Sequence, residues 1–202
     1  MSHYFQDDPN LAHDYRTIKF DLFGRQYSLQ SDSGVFAKDG LDDGSKLLLE
    51  TISKVDLGNS ILDIGCGIGP IGLVLASLEP SRHVVLADVN PRALACCKYN
   101  AEKLGLADQV EVVESDIYEN IPNQFTAIVT NPPIRAGKKV TYAIYKGAVS
   151  HLHQDGCLVL VIRKQQGAES CKRYLETLFP RVEELASKKG YKILIAYQKG
   201  AN

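Results

Sequence analysis

Between residues 60 and 180, short apolar runs alternate with longer segments of mixed apolar and polar residues. Runs of about four to eight apolar residues are typical of strands that are buried on both faces. Such strands are expected at residues 61–64, 84–87, 110–113, 127–130 and 157–162. Helices are expected at residues 71–78, 91–104, 139–152 and 168–179. This alternation predicts an α/β fold, in which helices cover both faces of a mainly parallel sheet.

The two ends of the chain show the pattern of antiparallel strands. Residues 18–22 carry apolar side chains at alternate positions, and Gly24 follows them, which predicts a β-hairpin. Near the other end, residues 181–187 and 191–198 flank a glycine-containing turn. This second pair predicts an antiparallel terminal strand at the end of the sheet.

The hairpin is assigned to an N-terminal extension of residues 1–35, and residues 36–202 are assigned to the main domain. Near the start of the main domain, Asp42 or Asp43 is a suitable N-terminal cap for a helix. The apolar side chains of this helix are Leu47, Leu48, Ile52 and Val55.

Composition and charge exclude several classes of protein. The 202 residues include 23 basic and 24 acidic side chains, so no general attraction to nucleic acid is expected. This balance does not exclude a local basic patch. No apolar run approaches the roughly 20 residues of a membrane helix, and the acidic start of the chain does not resemble a secretory signal. The cysteines form no C-x-x-C pair, and the histidines show no metal-ligand spacing. We therefore expect a reduced, cytoplasmic protein with no metal and no membrane partner.

The first strand of the alternating region leads into a glycine-rich loop, Asp-Ile-Gly-Cys-Gly-Ile-Gly-Pro-Ile-Gly, at residues 63–72. Gly65, Gly67 and Gly69 permit backbone conformations that other residues avoid, and they let a ligand approach the main chain closely. The helix that follows points its first amide groups at the same place. This order of strand, glycine loop and helix predicts a site for a nucleotide-like cofactor.

Acidic residues favour one of two cofactors at this loop. The spacing G-x-G-x-x-G at residues 67–72, with Asp88 about 20 residues further on, formally fits a dinucleotide site. Asp63, however, would repel a pyrophosphate, whereas it suits the ammonium group of a methionine moiety. Asp116 follows the third strand of this region and is placed to accept from an adenine amino group. Together these residues favour S-adenosylmethionine.

The fourth strand of the region ends in the rigid loop Asn131-Pro132-Pro133-Ile134. Consecutive prolines fix φ, remove two amide donors and hold Asn131 out of the helical conformation. The loop therefore offers two acceptors, the Asn131 side-chain oxygen and the Pro132 carbonyl, which suit the two hydrogens of an exocyclic amine. Binding both hydrogens would turn the nitrogen lone pair toward a methyl donor, and positioning would supply most of the acceleration. Asn131 and Pro132 are thus the predicted catalytic groups.

The glycine loop, Asp88, Asp116 and the Asn-Pro-Pro loop together resemble the class I S-adenosylmethionine-dependent methyltransferases. Within this class the chain is similar to the "methyltransferase small" family, whose best-known members methylate guanine N2 in small-subunit ribosomal RNA. The likeness extends from about residue 15 to about residue 198 and is strongest to a compact, single-domain branch. It implies a Rossmann-like, mainly parallel sheet with a small N-terminal β-hairpin.

The resemblance also implies a role for individual residues. The cofactor-binding residues would be Asp63, Gly65, Gly67, Gly69, Asp88, Asp116 and Asn131. The substrate-binding residues would be Phe36, Lys38, Pro133, Ile134, Arg135 and Lys138. Ribosomal RNA methyltransferases of the family often carry an aromatic residue where this chain has Ile134. The expected partner is ribosomal RNA or the small ribosomal subunit, with Arg135 and Lys138 as candidate contacts for RNA phosphates.

Other hypotheses stay open on the sequence alone. The Asn-Pro-Pro loop also suits the amide of a protein glutamine or the N6 amine of an adenine. A nicotinamide-dependent dehydrogenase fits the glycine spacing but not Asp63, and a non-catalytic cofactor-binding module would have no need of Asn131. We expect an S-adenosylmethionine-dependent N-methyltransferase that acts on guanine N2 in 16S ribosomal RNA.

Overall fold

The structure of the chain, a computed structural model, describes residues 12–35 and 40–200. The strands are β1 (Arg16–Leu22), β2 (Arg25–Ser31), β3 (Ser60–Ile64), β4 (His83–Asp88), β5 (Val110–Glu114), β6 (Phe125–Thr130), β7 (Leu152–Arg163), β8 (Arg181–Lys188) and β9 (Tyr191–Tyr197). The helices are α1 (Asp43–Ile52), α2 (Pro70–Leu78), α3 (Pro91–Lys103), α4 (Lys138–His151) and α5 (Ala168–Leu178). The predicted succession of strands and helices is confirmed.

One sheet has the strand order β5-β4-β3-β6-β7-β9-β8, and β1 and β2 form a separate antiparallel hairpin. Strands β3 to β7 pair in parallel, whereas β9 runs antiparallel to both of its neighbours, β7 and β8. The predicted Rossmann-like fold with an N-terminal hairpin is therefore confirmed. The reversed strand is β9, which lies one position inside the edge because β8 covers it.

The central strand β3 lies between β4 and β6. The chain winds outward from β3 to β5 on one side and then from β6 onward on the other. Helix α2, which follows β3, packs on one face of the sheet, and α4, which follows β6, packs on the opposite face. Where the winding reverses, the loops after β3 and β6 leave toward opposite faces, and a crevice forms at the carboxyl ends of the strands.

Successive residues of the central strands belong to two different hydrophobic cores. Ile61 packs in the core formed with α1, α2 and α3, whereas its neighbour Leu62 packs in the core formed with α4 and α5. In β7, Val159 packs in the core with α1, α2 and α3, whereas its neighbour Leu158 packs in the core with α4 and α5. Because both faces are buried, these strands have continuous apolar sequences rather than alternating ones.

The N-terminal hairpin contributes its apolar face to the core on the α1–α3 side. Its turn residues Phe23 and Gly24 have φ values of 52° and 71°, as a tight two-residue hairpin turn requires. The Tyr27 hydroxyl lies 2.8 Å from the Ser77 hydroxyl at the end of α2. The domain boundary between residues 35 and 36 stays a prediction, since residues 36–39 lie outside the described part of the chain.

Asn100 of α3 joins the hairpin to the rest of the fold. Its side chain is completely buried. The amide oxygen accepts from the Gln30 N–H at 2.7 Å, and the amide nitrogen donates to the Gln30 carbonyl at 3.0 Å and to the Ile68 carbonyl at 3.2 Å. One side chain thus connects β2, α3 and the glycine loop.

Helix α1 follows one of its two predicted caps, but it is shorter than the predicted helix, which included Val55. The Asp42 carboxylate accepts from the Gly44 and Ser45 N–H groups at 3.0 and 3.1 Å, so Asp42 rather than Asp43 is the cap. The helix ends at Ile52, and Val55 lies in the following turn. After this turn the chain leads to β3, and Leu57 is the next buried side chain.

We expect Asn100→Ala to lower the free energy of unfolding by about 2–4 kcal/mol. The change leaves the Gln30 backbone groups and the Ile68 carbonyl without their partner, and each buried group left unpaired costs roughly 1–3 kcal/mol. Urea denaturation would measure the loss. Lys98→Ala, at an exposed position on the same helix, is the control and should stay within about 0.5 kcal/mol of the wild type. Equal stability of the two variants would contradict this role of Asn100.

Candidate active site

Hydrogen bonds tie together the loops that follow β3, β4, β5 and β6. In the glycine loop, the Gly65 and Cys66 N–H groups donate to the Ala87 carbonyl at 2.8 and 3.0 Å. The Ser115 N–H donates to the Asp88 carbonyl at 3.0 Å, and the Thr130 hydroxyl donates to the Ile64 carbonyl at 2.8 Å. These bonds bring the predicted cofactor loop and the Asn-Pro-Pro loop to the same edge of the sheet.

The glycine loop has one open position and one crowded position. Gly67 has φ 57°, and a Cβ atom there would meet nothing within 4 Å. Gly69 has φ 87°, and a Cβ atom there would lie 3.0 Å from the Leu86 side chain and 3.1 Å from the Cys97 sulfur. Space for a ligand therefore lies at Gly67, whereas Gly69 is needed for packing at the start of α2.

Asp63 is a buried carboxylate at the end of β3, with 1% of its surface exposed. One oxygen, Oδ2, accepts from the Gly72 N–H in the first turn of α2 at 2.9 Å. The other, Oδ1, is buried and has no hydrogen-bond partner among the described residues. Burial raises the pKa of Asp63 to about 7, and the charge of Asp88 adds to this rise. Asp63 therefore caps α2, a role not predicted from the sequence, and keeps one buried acceptor unused.

Asp88 holds the glycine loop in its observed conformation. Its Oδ2 atom accepts from the Gly67 N–H at 2.8 Å, and its Oδ1 atom accepts from the Asn90 N–H at 2.9 Å. Asn90 in turn caps α3 by accepting from the Arg92 N–H at 2.9 Å. The carboxylate at the end of β4 thus links the cofactor loop to the start of the next helix.

Asp116 lies two residues beyond β5 and has an exposed side chain. The next residue, Ile117, has φ 55°, a left-handed conformation that β-branched residues rarely adopt. The Ser115 hydroxyl holds this turn, because it donates to the Ile117 carbonyl and accepts from the Asn120 N–H, both at 3.0 Å. The strained turn leaves Asp116 at the same sheet edge as Asp88.

The side-chain nitrogen of Asn131 is held by the start of α1. It donates to the Ser45 hydroxyl at 3.0 Å and lies 3.4 and 3.5 Å from the two oxygens of Asp42. Because the nitrogen faces these two residues, the amide oxygen is left as an acceptor on the other side.

The two prolines place the rest of this loop against the glycine loop. A Cβ atom at Gly65 would lie 3.8 Å from the Pro133 ring. The Pro132 carbonyl accepts from the Ile134 N–H at 2.8 Å. A carbonyl oxygen has two lone pairs, so one acceptor position at Pro132 remains.

The structure describes the surroundings of some predicted substrate-binding residues, whereas others lie outside the described part of the chain. Ile134 is half-buried against the α4 and α5 core and lines, with the exposed Lys138, a cavity of about 40 Å³. The backbone of Arg135 lies in the short 3₁₀ helix Ile134–Ala136. Phe36 and Lys38 lie outside the described residues.

Asp42 and Ser45 were not predicted to be parts of this site. The one role predicted for Asp42 was that of a candidate helix cap, which by itself accounts for an acidic residue at that position. Their contact with Asn131 joins positions 86 and 89 residues apart along the chain. Only the packing of α1 beside the end of β6 brings them together.

Residues 26–195 match the sequence profile of a family described as "Methyltransferase small domain". The chain belongs to the methyltransferase small family. The match spans most of the main domain and the second strand of the hairpin. The predicted family and the predicted enzyme class, a methyltransferase, are both confirmed.

Two relatives of this protein differ in length. The "Uncharacterized protein YbxB" of Bacillus subtilis (strain 168) is 42% identical over 196 residues, which cover 96% of this chain and 97% of that protein. The "Ribosomal RNA small subunit methyltransferase C" of Aeromonas hydrophila is 38% identical over 170 residues. That match covers 81% of this chain but 47% of the relative, so the chain spans about half the length of this second relative.

The solved structure of a ribosomal RNA methyltransferase has a closely similar fold. The T. thermophilus 16S rRNA N2 G1207 methyltransferase (RsmC), in complex with AdoMet and guanosine, superposes with a TM-score of 0.83 at 26% identity. The superposition covers 96% of the present chain and 53% of that protein. S-adenosylmethionine, the predicted cofactor, is thus confirmed as the cofactor of the family.

Metal-binding clusters and membrane-spanning helices are both absent from residues 12–35 and 40–200. Within them, no group of three or more His, Cys, Asp or Glu side chains is arranged to hold a metal ion. None of the helices in these residues is long and apolar enough to cross a membrane.

We expect Asp63→Asn to remove a pH dependence of stability in the cofactor-free protein. The folded-state pKa of about 7 lies above the ordinary value of 3.8, so Asp63 stabilises the fold in its protonated form. This contribution is fully present below pH 3.8 and is lost as the pH rises through 7. Relative to Asp63→Asn, the wild type should lose about 3 kcal/mol between pH 4.5 and 8.

Urea denaturation of both proteins across this pH range would measure the difference. Asparagine retains an oxygen that accepts from the Gly72 N–H but does not ionise, so shared titrations cancel in the comparison. A stability difference that stays constant from pH 4.5 to 8 would contradict a raised pKa for Asp63.

Proposed function

We propose that this protein transfers the methyl group of S-adenosylmethionine to the exocyclic N2 amine of a guanine in 16S ribosomal RNA. The observation that carries the proposal is the orientation of Asn131. Its amide nitrogen is bound by Ser45 and Asp42, and its oxygen accepts no hydrogen bond from the described residues, which leaves an acceptor at the carboxyl edge of the sheet. An acceptor in this position suits an amine that has to be held by its hydrogens.

The residues at the sheet edge fit S-adenosylmethionine. The unpartnered Oδ1 atom of Asp63 suits a cationic ammonium group, and the open space at Gly67 accommodates a ligand close to the backbone. Asp88 would accept from the ribose hydroxyls, and the exposed Asp116 would face the adenine region. When bound, this cofactor supplies an electrophilic methyl group on a sulfonium centre.

The protein's own contribution to the reaction is to position the amine. Asn131 Oδ1 and the Pro132 carbonyl would accept the two N–H hydrogens, which orients the nitrogen lone pair away from the loop. Because Pro132 and Pro133 restrict the backbone, little reorganisation is needed when the amine binds. No side chain has to act as a covalent nucleophile.

The choice of substrate is supported by the relatives. The ribosomal RNA small subunit methyltransferases C and the guanosine complex both concern RNA, and the match includes the Asn-Pro-Pro loop within residues 26–195. Lys138 at the start of α4 is exposed and offers a charge to a phosphate. We place the protein in the cytoplasm, with the small ribosomal subunit or its RNA as partner, and the target base would be unstacked before reaction.

We expect Asp88→Ala to weaken S-adenosylmethionine binding about tenfold to a hundredfold, measured by titration calorimetry. A charged hydrogen-bond acceptor contributes roughly 1.5–3 kcal/mol, and Asp88 also fixes the Gly67 N–H. Glu114→Ala is the matched control, since Glu114 is the exposed neighbour of Asp88 on β5. Its affinity should stay within about twofold of the wild type. Unchanged affinity in Asp88→Ala would rule out the proposed ribose contact.

The decisive assay offers labelled S-adenosylmethionine with unmodified small ribosomal subunits, naked 16S RNA and a release factor in parallel. We expect label in a guanine, and we expect Asn131→Ala to lower the transfer rate about a hundredfold or more. Cofactor affinity and melting temperature of that variant should stay close to the wild type. Label in protein alone would favour glutamine methylation, and label in an adenine would move the target to N6.

A further inference from the structure

We propose that Asp42 and Ser45 are positioning residues, which lock the Asn131 amide with its oxygen toward the substrate amine. The inference rests on the proposed function of Asn131 and adds a requirement that the Asn-Pro-Pro loop alone does not meet. An asparagine side chain can rotate by half a turn and present its NH₂ group instead of its oxygen. A donor in that position would repel an amine that approaches with its hydrogens.

Asp42 decides the orientation. The Ser45 hydroxyl, 3.0 Å from the Asn131 nitrogen, is able to donate or to accept, so by itself it would tolerate either orientation of the amide. An ionised carboxylate only accepts. The Asp42 oxygens lie 3.4 and 3.5 Å from the same nitrogen, so they favour the NH₂ group and exclude the amide oxygen from this side.

Both partners are held on a rigid support. Asp42 is fixed by the Gly44 and Ser45 N–H groups, which it caps at 3.0 and 3.1 Å, and Ser45 is 3% exposed. A Cβ atom at Gly44 would lie 2.8 Å from the Tyr191 ring, so the start of α1 is packed closely against β9. A site held in this way binds with little rearrangement, which is the condition for positional catalysis.

The charge of Asp42 adds to the effect of its geometry. A carboxylate beside the NH₂ end of an amide polarises it and makes the amide oxygen a stronger acceptor. The substrate nitrogen gains positive charge as it takes up the methyl group. A polarised Asn131 oxygen therefore stabilises the transition state more than the ground state, and the rate constant should respond more than substrate affinity.

The test compares Asp42→Asn, Asp42→Ser and Ser45→Ala with the control Asp43→Asn. Asparagine and serine are good helix caps, so the Asp42 variants keep the start of α1. Asp42→Asn retains one oxygen for the cap but turns an NH₂ group toward Asn131. Asp43 is the exposed neighbour that pairs with Lys189 at 3.0 Å, and its substitution removes the same charge without touching Asn131.

We expect kcat for methyl transfer to fall about tenfold to a hundredfold in Asp42→Asn and less in Asp42→Ser, in which no donor opposes the Asn131 amide. KM for the acceptor and the affinity for S-adenosylmethionine should change less than about threefold. Asp43→Asn should match the wild type in all three. Full activity in Asp42→Asn, or an equal loss in Asp43→Asn, would overturn the proposal.

A second measurement is independent of activity. In protein labelled with ¹⁵N at asparagine, the Asn131 side-chain NH₂ signals are identified by their absence from Asn131→Ala. We expect slow solvent exchange of these hydrogens in the wild type and in Asp43→Asn, and faster exchange with shifted signals in Asp42→Asn and Ser45→Ala. Signals that do not change in Asp42→Asn would overturn the positioning role.

The two measurements separate the failure of this inference from the failure of the proposed function. A wild type that methylates none of the offered acceptors would refute the proposed substrate, while the NH₂ signals would still decide whether Asp42 and Ser45 orient Asn131. A wild type that methylates guanine, together with an insensitive Asp42→Asn, would leave the function in place and remove the positioning role.

Discussion

The pairing of β3 with β4 on one side and β6 on the other is the constraint on which the site depends. It sends α2 and α4 to opposite faces of the sheet, so that the glycine loop and the Asn-Pro-Pro loop leave neighbouring strand ends in different directions. The hydrogen bond from Thr130 to the Ile64 carbonyl closes the gap between these two strand ends. The glycine loop and the Asn-Pro-Pro loop, which follow strand ends 66 residues apart in the chain, are thereby brought together.

Two features of the site depart from the usual rules of burial and backbone conformation. Asp63 is a carboxylate buried with one unpaired oxygen, and its pKa is raised for that reason. Ile117 adopts a left-handed backbone conformation beside Asp116. Buried apolar cores lie on both faces of the sheet, so the fold tolerates these two costs. In the proposed function, a bound cofactor would compensate for these costs.

Helix α1 contributes to stability and, in the proposed function, to the reaction through the same side chain. The Asp42 carboxylate caps the helix and at the same time contacts Asn131, and Leu48, Leu49 and Ile52 anchor the helix in the core. The position of the acceptor oxygen is therefore set by the packing of a helix that lies outside the β3–β6 unit. In this arrangement the hydrophobic core determines the geometry of the proposed reaction, since a shift of α1 would move the support of Asn131.

The sequence by itself determined the order of strands and helices, the parallel character of the sheet, the glycine loop and the acidic residues at the ends of β3 and β4 and after β5. These follow from local composition: apolar runs, caps and glycine spacing act over a few residues and do not depend on the rest of the fold. Tertiary structure alone decided that Asp63 caps α2, that Asp88 holds the Gly67 N–H, and that Asp42 and Ser45 bind the Asn131 amide. These contacts join residues between 9 and 89 positions apart, and no periodicity or spacing in the sequence encodes which distant side chains the two cores bring together.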